Sequence, residues 1–225
     1  MTTMVGEGIY SVGESSRLTG VSPSRIHRWF SGYQFETKLG VRRMPPVVSF
    51  TDRMFDGQLQ LSFSDLLEIR LIDRFLDLDV GWHELRQVAK IAKDRFGCEH
   101  PFAGYKFRTS GRRLFADVND HRGEKRLVEF SSQQHVFERV IENQLIGVEY
   151  VDDSAVRWWP LGLRKNVVID PRRAFGKPIG STSGVPAAIL AAHAARFGQA
   201  VTSDWYEVDR AEVRDAAIFM KRLAA

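Results

Sequence analysis

The chain has 225 residues, a formal net charge of +4 and a pI near 9.3. Its hydrophobic content of 44% excludes a disordered chain and indicates two or three small folded units. The single cysteine, Cys98, excludes an intrachain disulfide and a cysteine-based zinc site. Because no apolar run reaches membrane-spanning length and no export signal is present, we expect a cytoplasmic protein that does not contact a membrane.

The segment Ile9–Tyr33 carries the start and stop signals of a helix-turn-helix. Ser11 and Glu14 have the spacing of a capping box, which predicts a first helix over Val12–Thr19. Gly20 follows where a left-handed residue would end that helix.

The second helix of this motif is predicted to begin at Ser22 and Pro23, an N-cap residue followed by proline at the first helical position. Its apolar residues fall at i, i+3 and i+4 and should face the core. The short polar and basic side chains left outside are of the types that contact base edges and phosphates in a major groove. The candidate DNA-binding residues on this helix are Ser22, Ser24, Arg25, His27 and Arg28. The alternative is a helical pair whose arginines are only solvated.

Two β-leaning pieces, VVSF and LQLSF, follow within residues 35–63, and the loop DRMFDG joins them. This pattern predicts a wing, which passes close to the phosphate backbone in winged DNA-binding domains. The predicted DNA-binding set therefore also includes Arg42, Arg43 and Arg53. An ordinary basic hairpin is the alternative.

Two amphipathic helices are predicted next, one through FSDLLEIRLIDRFLDL and one over Trp82–Phe96 with Gly97 as its stop. From about residue 100 the pattern changes to short alternating runs. These predict strands at YKFRT, RRLFADV, RLVEF and GVEYV, a Ser110-Gly111 turn between the first two, and one helix over Gln133–Leu145.

The C-terminal part is again predicted to be helical. A helix over Pro186–Phe197 precedes a short polar-aromatic turn at Thr202–Tyr206, and a last helix begins at Asp209, with Glu212 at capping-box spacing. Three short helices with a tight connection predict a second helix-turn-helix unit, less basic than the first.

Catalytic signatures are not found in the sequence. There is no phosphate-binding glycine loop, no histidine pair at metal-ligand spacing and no nucleophile elbow. Paired acids such as Asp152 and Asp153 are explained as turn formers. We therefore expect a binding protein with no catalytic residue, no metal and no cofactor.

The segments IYSVGESSRLTGVSPSRIHRWF and LSFSDLLEIRLIDRFLDLDVGWHELRQVAKIAKDRFG resemble the opening and following helices of MerR-type winged helix-turn-helix proteins. The resemblance covers about Ile9 to Gly97. The long dimerisation helix and effector domain of that family have no counterpart here. VVIDPRRAFGKPIGSTSGVPAAILAAHAARFGQAVTSDWYEVDRAEVRDAAIFM resembles the short helical domain of VapB-like antitoxins, the partners of PIN-type or Mut7-C-type ribonuclease toxins.

These resemblances imply an antitoxin of a type II toxin-antitoxin system. It would neutralise a PIN/Mut7-C-type ribonuclease toxin by direct contact, and as a homodimer it would bind operator DNA and repress its own operon. Arginines pair well with the carboxylates of such a nuclease site, so the toxin-binding candidates are Arg112, Arg113, Arg164, Arg172 and Arg173. A ligand-responsive MerR-like regulator and a pure protein-interaction module without DNA binding are the alternatives.

The expected fold class is α+β. A MerR-like winged helix-turn-helix would occupy residues 1–99, a small α/β middle domain residues 100–162, and a three-helix, helix-turn-helix-like domain residues 163–225.

Overall fold

The structure is a computed structural model, and it describes residues 7–38, 40–47, 54–55, 57–97, 100–105, 107, 110–111, 113–114 and 147–224. The chain forms two compact units. The N-terminal unit lies within residues 11–145, and the C-terminal unit combines residues 146–225 with the segment that ends at Tyr10. The three predicted domains divide the chain at other points, and their boundaries stay predictions.

The N-terminal unit is built from short helices and small hairpins. After the short strand β1 (Tyr10–Ser11), its elements in chain order are α1 (Val12–Thr19), α2 (Pro23–Ser31), β2 (Tyr33–Thr37), β3 (Gly40–Met44), β4 (Met54–Phe55), β5 (Gln58–Leu61), α3 (Phe63–Leu76) and α4 (Trp82–Phe96). β2 pairs with β3 and β4 with β5, both antiparallel.

The start of α1 confirms the predicted capping box. The Ser11 backbone N–H donates to Glu14 Oε2 at 2.9 Å, and the Glu14 N–H donates to Ser11 Oγ at 3.2 Å. Two orphan donors at the helix start are thereby satisfied. Gly20 ends the helix with φ +81°, the left-handed conformation that its position predicts. Both predicted ends of α1 and the predicted start of α2 are confirmed.

The core of the N-terminal unit lies under α3 and α4. The apolar residues of α3 are buried except Leu76, and the inner residues of α4 are buried too. Phe75 of α3 contacts the rings of Phe102 and Phe107, which stand 4.9 Å apart edge to face. The buried Glu68 carboxylate accepts from the Phe102 and Ala103 N–H groups at 2.7 and 3.1 Å.

The predicted strands at YKFRT and RRLFADV are wrong where the structure describes those residues. Residues 105, 107, 110, 111, 113 and 114 are helical, including the predicted turn at Ser110 and Gly111. The buried side chains Ala103, Phe107 and Leu114 lie four and seven residues apart, which is helical periodicity. The predicted RLVEF strand and Gln133–Leu145 helix lie outside the described residues.

The predicted wing also needs correction. The β2–β3 hairpin was not predicted, and β4 occupies part of the predicted loop. In the β4–β5 pair, Phe55 is the partner of Gln58 and Met54 that of Leu59. The VVSF piece forms no strand at Val47, which is buried and donates its N–H to Trp29 O at 2.9 Å, and residues 48–50 are not described.

The C-terminal unit joins two hairpins to three helices. Its elements are β6 (Val148–Val151), β7 (Ser154–Trp158), β8 (Val167–Val168), β9 (Ile179–Gly180), α5 (Ala187–Phe197), α6 (Gln199–Tyr206) and α7 (Arg210–Leu223). β6 confirms the predicted GVEYV strand, and Asp152 with Asp153 forms its turn at positive φ. α5 and α7 confirm the predicted first and last helices.

Two details of this helical region differ from the predictions. The expected turn at Thr202–Tyr206 is part of α6, where Thr202 Oγ1 donates to Gly198 O at 2.8 Å. Glu212 makes no capping box with Asp209. Its buried carboxylate instead accepts from the Thr182 and Ser183 N–H groups at 3.1 and 3.2 Å and thereby holds the loop before α5.

The fold combines helices with short antiparallel sheets, which confirms the α+β class at that level. In the part of the chain that the structure describes, no helix is both long enough and apolar enough to cross a bilayer.

Candidate nucleic-acid interface

The outer face of α2 is polar and basic, because the inner residues Ile26, Trp29 and Phe30 are buried. The predicted residues Ser22, Ser24, His27 and Arg28 are exposed, and Arg25 is half-buried. The two serine hydroxyls lie 3.3 Å apart. Arg25 and Arg28 are three residues apart and therefore lie on one side of the helix, one turn from each other.

Arg25 is held in place by two neighbours. Its guanidinium forms an ion pair with Asp73 of α3 at 2.8 Å and lies 5.1 Å from the centroid of the Trp29 ring. Burial raises the pKa of Asp73 above its ordinary value, and Arg25 partly opposes this rise. An approaching phosphate would therefore compete with Asp73 for Arg25.

Arg28 has a different environment. Its guanidinium lies 5.7 Å from the Tyr33 ring, and no carboxylate pairs with it among the described residues. Tyr33 in turn stands 5.9 Å from Phe35, the next residue on the same face of β2. A row of cationic and aromatic side chains thus runs from α2 onto the hairpin.

The hairpin register places the two wing arginines on opposite faces. Arg42 is opposite Phe35, and Arg43 is opposite Gln34. Because cross-strand partners share a face, Arg42 extends the row that begins at Arg28, whereas Arg43 lies on the other face. The structure therefore brings Arg28 and Arg42 to one surface and separates Arg43 from them. Arg53 lies outside the described residues.

A cleft of about 380 Å³ opens beside this surface within the N-terminal unit. It is lined by Arg25, Arg28, Trp29, Tyr33, Val47, Leu76, Trp82 and Arg86. Trp82 and Arg86 are one helical turn apart at the start of α4 and so lie on one face. Trp82, Arg86 and Asp73 were not identified from the sequence as parts of a site. The signal available for the first two was their i, i+4 spacing.

The predicted toxin-binding arginines do not share one environment. Arg113 belongs to the N-terminal unit and is exposed, whereas Arg164, Arg172 and Arg173 belong to the C-terminal unit and are exposed. Arg164 and Arg173 have no side-chain hydrogen bond or ion pair within the described ranges. Arg112 is not described by the structure.

Arg172 is engaged by a buried carboxylate. Asp170 is 2% exposed and accepts from the backbone N–H, Nε and Nη2 of Arg172 at 3.0, 3.2 and 3.3 Å. Arg157 Nε donates to it from β7 at 3.1 Å. Burial by itself would raise the pKa of Asp170, but the hydrogen bonds from Arg172 and Arg157 outweigh burial and lower it. Asp170 therefore joins β7 to the loop after β8.

No group of three or more histidine, cysteine, aspartate or glutamate side chains in the described ranges could hold a metal ion. The hydrogen bonds of the buried carboxylates are structural. Asp215, for example, accepts from the backbone N–H and side-chain amide of Asn166 at 3.1 and 2.9 Å.

The chain is similar to a curated sequence and to a solved structure. No family model matches the chain. The chain is 26% identical over 222 residues to the protein described as "Putative antitoxin VapB45" of Mycobacterium tuberculosis strain H37Rv, with 92% of each chain covered. Its fold matches the crystal structure of Rv2018 from Mycobacterium tuberculosis with a TM-score of 0.69 and 20% identity, over 92% of this chain and 96% of that one. The chain is thus an antitoxin-like protein by similarity along nearly its whole length.

Proposed function

We propose that this chain is the antitoxin of a type II toxin-antitoxin system, which neutralises a PIN-type ribonuclease toxin by direct binding and represses its own operon by binding DNA. The observation that carries the proposal is the similarity to VapB45 over 92% of both chains, because it spans both units. A match confined to one unit would support only the role of that unit.

The DNA-binding half of the proposal is supported by the surface of α2 and the β2–β3 hairpin. A helix that presents short polar side chains and two arginines beside a basic ribbon has the surface chemistry of a major-groove reader with a wing. Arg28 and Arg42 would contact phosphates from one face. Arg25 would leave its ion pair with Asp73 and contact DNA instead. As a homodimer, the protein would place two such surfaces on successive major grooves.

The toxin-binding half is supported by the arginines that remain available. Arg164 and Arg173 are exposed in the C-terminal unit and have no carboxylate partner among described residues, so either could pair with the acidic residues of a PIN-type site. Arg172 is less available because Asp170 already accepts three of its hydrogen bonds.

The experiment is co-expression of the full chain with the nuclease encoded by the neighbouring reading frame. We expect the chain to restore growth that the nuclease alone arrests, and the two proteins to copurify. A nuclease variant without its metal-binding carboxylates should arrest no growth and serves as the control. Continued growth arrest in the presence of soluble chain would contradict the toxin half.

The DNA half is tested separately by titrating the chain against its own upstream DNA. We expect retardation of that fragment at concentrations that leave a shuffled fragment of equal length and composition free. Equal binding of both fragments would reduce the DNA contact to a non-specific charge effect. If the chain binds neither fragment but does bind the toxin, the result would favour a protein-interaction module without DNA binding.

A further inference from the structure

The cleft beside α2 has aromatic walls. The rings of Trp29 and Trp82 lie 5.7 Å apart at an interplanar angle of 64°, and the Tyr33 ring, 40% exposed, lines the same cleft. Val47 and Leu76 add aliphatic surface. Flat aromatic faces beside aliphatic side chains are the lining that binding sites for ring-containing small molecules use. The volume of about 380 Å³ lies within the range of roughly 300–1,000 Å³ for such sites.

The same cleft carries uncompensated positive charge. Of its three guanidinium groups, only that of Arg25 has a carboxylate partner, Asp73, within the described residues. The Arg28 guanidinium lies 5.7 Å from the centroid of the Tyr33 ring, and Arg86 Nη2 donates to the Pro45 carbonyl at 3.1 Å. Arg86 Nε is buried without an acceptor among the described residues. A buried donor without an acceptor is costly, so an anion at this guanidinium would be stabilised.

We propose that this cleft binds a small planar aromatic anion, with its ring against Trp82 and Tyr33 and its carboxylate or phosphate on Arg28 and Arg86. Arginine pairs with both anions through two parallel hydrogen bonds, and an aromatic ring gains stacking contacts that an inorganic ion lacks. Neither the aromatic walls nor the positive charge of the cleft would by itself select small planar aromatic anions. The aromatic rings favour a ring, and the two arginines without carboxylate partners favour an anion.

Because the cleft lies beside the proposed DNA-binding surface, a bound ligand would change the affinity of the chain for DNA. Arg25 and Arg28 line the cleft and also belong to the proposed DNA-binding surface. A bound anion would occupy Arg28 and lower affinity for DNA, and DNA would by reciprocity lower affinity for the anion. This consequence rests on the proposed function, whereas binding of the anion itself does not.

The test is calorimetric titration of the full chain with two probes, salicylate and adenosine monophosphate. Salicylamide, adenosine and inorganic phosphate are the matched controls that lack either the charge or the ring. We expect saturable binding of at least one aromatic anion, at least tenfold tighter than its uncharged counterpart or phosphate. Binding of salicylate alone would indicate a carboxylate ligand, and binding of the nucleotide alone a phosphate-bearing one.

Two variants locate the site. Arg28→Gln removes an exposed guanidinium, and we expect it to weaken binding of the anion at least tenfold, while the charge-matched Arg17→Gln on α1 leaves binding unchanged. Trp82→Phe keeps an aromatic wall. It should therefore bind with little change while losing most of the ligand-induced quenching of tryptophan fluorescence.

The proposal is overturned if no aromatic anion binds more tightly than its uncharged counterpart, or if Arg28→Gln and Arg17→Gln bind alike. A chain that binds the anion but not its upstream DNA would retain the cleft as a ligand site and overturn only the DNA half of the proposed function. A chain that binds its upstream DNA but not the anion would retain the DNA half of the proposed function and overturn the cleft as a ligand site.

Discussion

The two units of this protein present contrasting surfaces on similar short helices. In the N-terminal unit, the exposed face of α2 continues into a row of arginines and aromatic rings, with Arg28 over Tyr33. In the C-terminal unit, α5 and α6 expose an apolar strip that consists of Ile189, Phe197, Val201 and Trp205. The half-buried His193 ring lies beside Phe197 and Trp205. Trp205 is 73% exposed and stacks on His193 at 6.1 Å.

The contrast predicts that the two units bind different kinds of partner. A cationic surface suits a polyanion, while exposed aromatic side chains suit a protein partner, since tryptophan is enriched at the centres of protein interfaces.

The largest effect is expected from the double substitution Arg25→Ala and Arg28→Ala. Each arginine should contribute about 1 to 3 kcal/mol to operator binding, so the double substitution should weaken that binding by about 2 kcal/mol or more, which is about 30-fold or more. Fluorescence anisotropy at fixed salt measures this loss. The double substitution Arg164→Ala and Arg173→Ala removes equal charge from the other unit and should leave DNA affinity within about twofold. The reverse result would assign DNA to the C-terminal unit.

Trp205→Ser should weaken binding of the partner toxin by about 2 kcal/mol, roughly 30-fold, if the apolar strip is the toxin surface. Phe175→Ser is the matched control, because Phe175 is 80% exposed in the same unit but lies outside the strip. Calorimetry with the isolated toxin measures both. Equal losses for the two variants, or none for either, would remove the strip from the interface.

Asp170→Ala should destabilise the C-terminal unit by about 2 kcal/mol, because charge-assisted hydrogen bonds from Arg157 and Arg172 are lost. The folded-state pKa of Asp170 is lowered, so its stabilisation is present above the ordinary carboxylate pKa and is lost as pH falls through the folded value. Chemical denaturation between pH 7 and pH 3 should therefore show a difference between wild type and variant that shrinks with acid. A difference independent of pH would contradict this origin.

The smallest effect is expected from Asp73→Asn. It frees Arg25 from its ion pair and should strengthen DNA binding only a few-fold, since the pair is partly exposed at 41% and 24%. Because the pKa of Asp73 is raised, wild-type affinity should approach that of the variant as pH falls and Asp73 is protonated. Asp94→Asn on α4 changes charge equally and should have no such effect. Weaker binding by Asp73→Asn would show that the pair orients Arg25 for DNA.

Local chemistry made the helices of the fold predictable. Ser11 with Glu14, Gly20 and Gly97 are caps whose side chains or backbone freedom act within one helical turn, so their effect can be read without tertiary context. The missed helix around Phe107 depends instead on distant groups. The turn before it is held by Glu68, and the Phe107 ring packs on Phe75, and neither partner is near in sequence.

The candidate site was predictable only in part for the same reason. The arginines of α2 follow from helical periodicity, and the exposure of Arg28 agrees with it. The cleft does not follow, because Trp82 and Arg86 join Arg25 only through the packing of α4 beside α2. The placement of Arg42 and Arg43 on opposite faces does not follow from helical periodicity either, because it depends on the register of a hairpin that was not predicted.

The position of Tyr10 has a consequence for synthesis of the chain. Its hydroxyl donates to the Gly176 carbonyl at 2.8 Å, across 166 residues of sequence, and its side chain is 3% exposed. The ribosome releases residue 10 long before residue 176, so the Tyr10 hydroxyl cannot reach this acceptor until most of the protein has been translated. A chain that starts at Ser11 would leave that carbonyl without its donor, and replacement of Tyr10 by phenylalanine would separate the hydrogen bond from the packing of the ring.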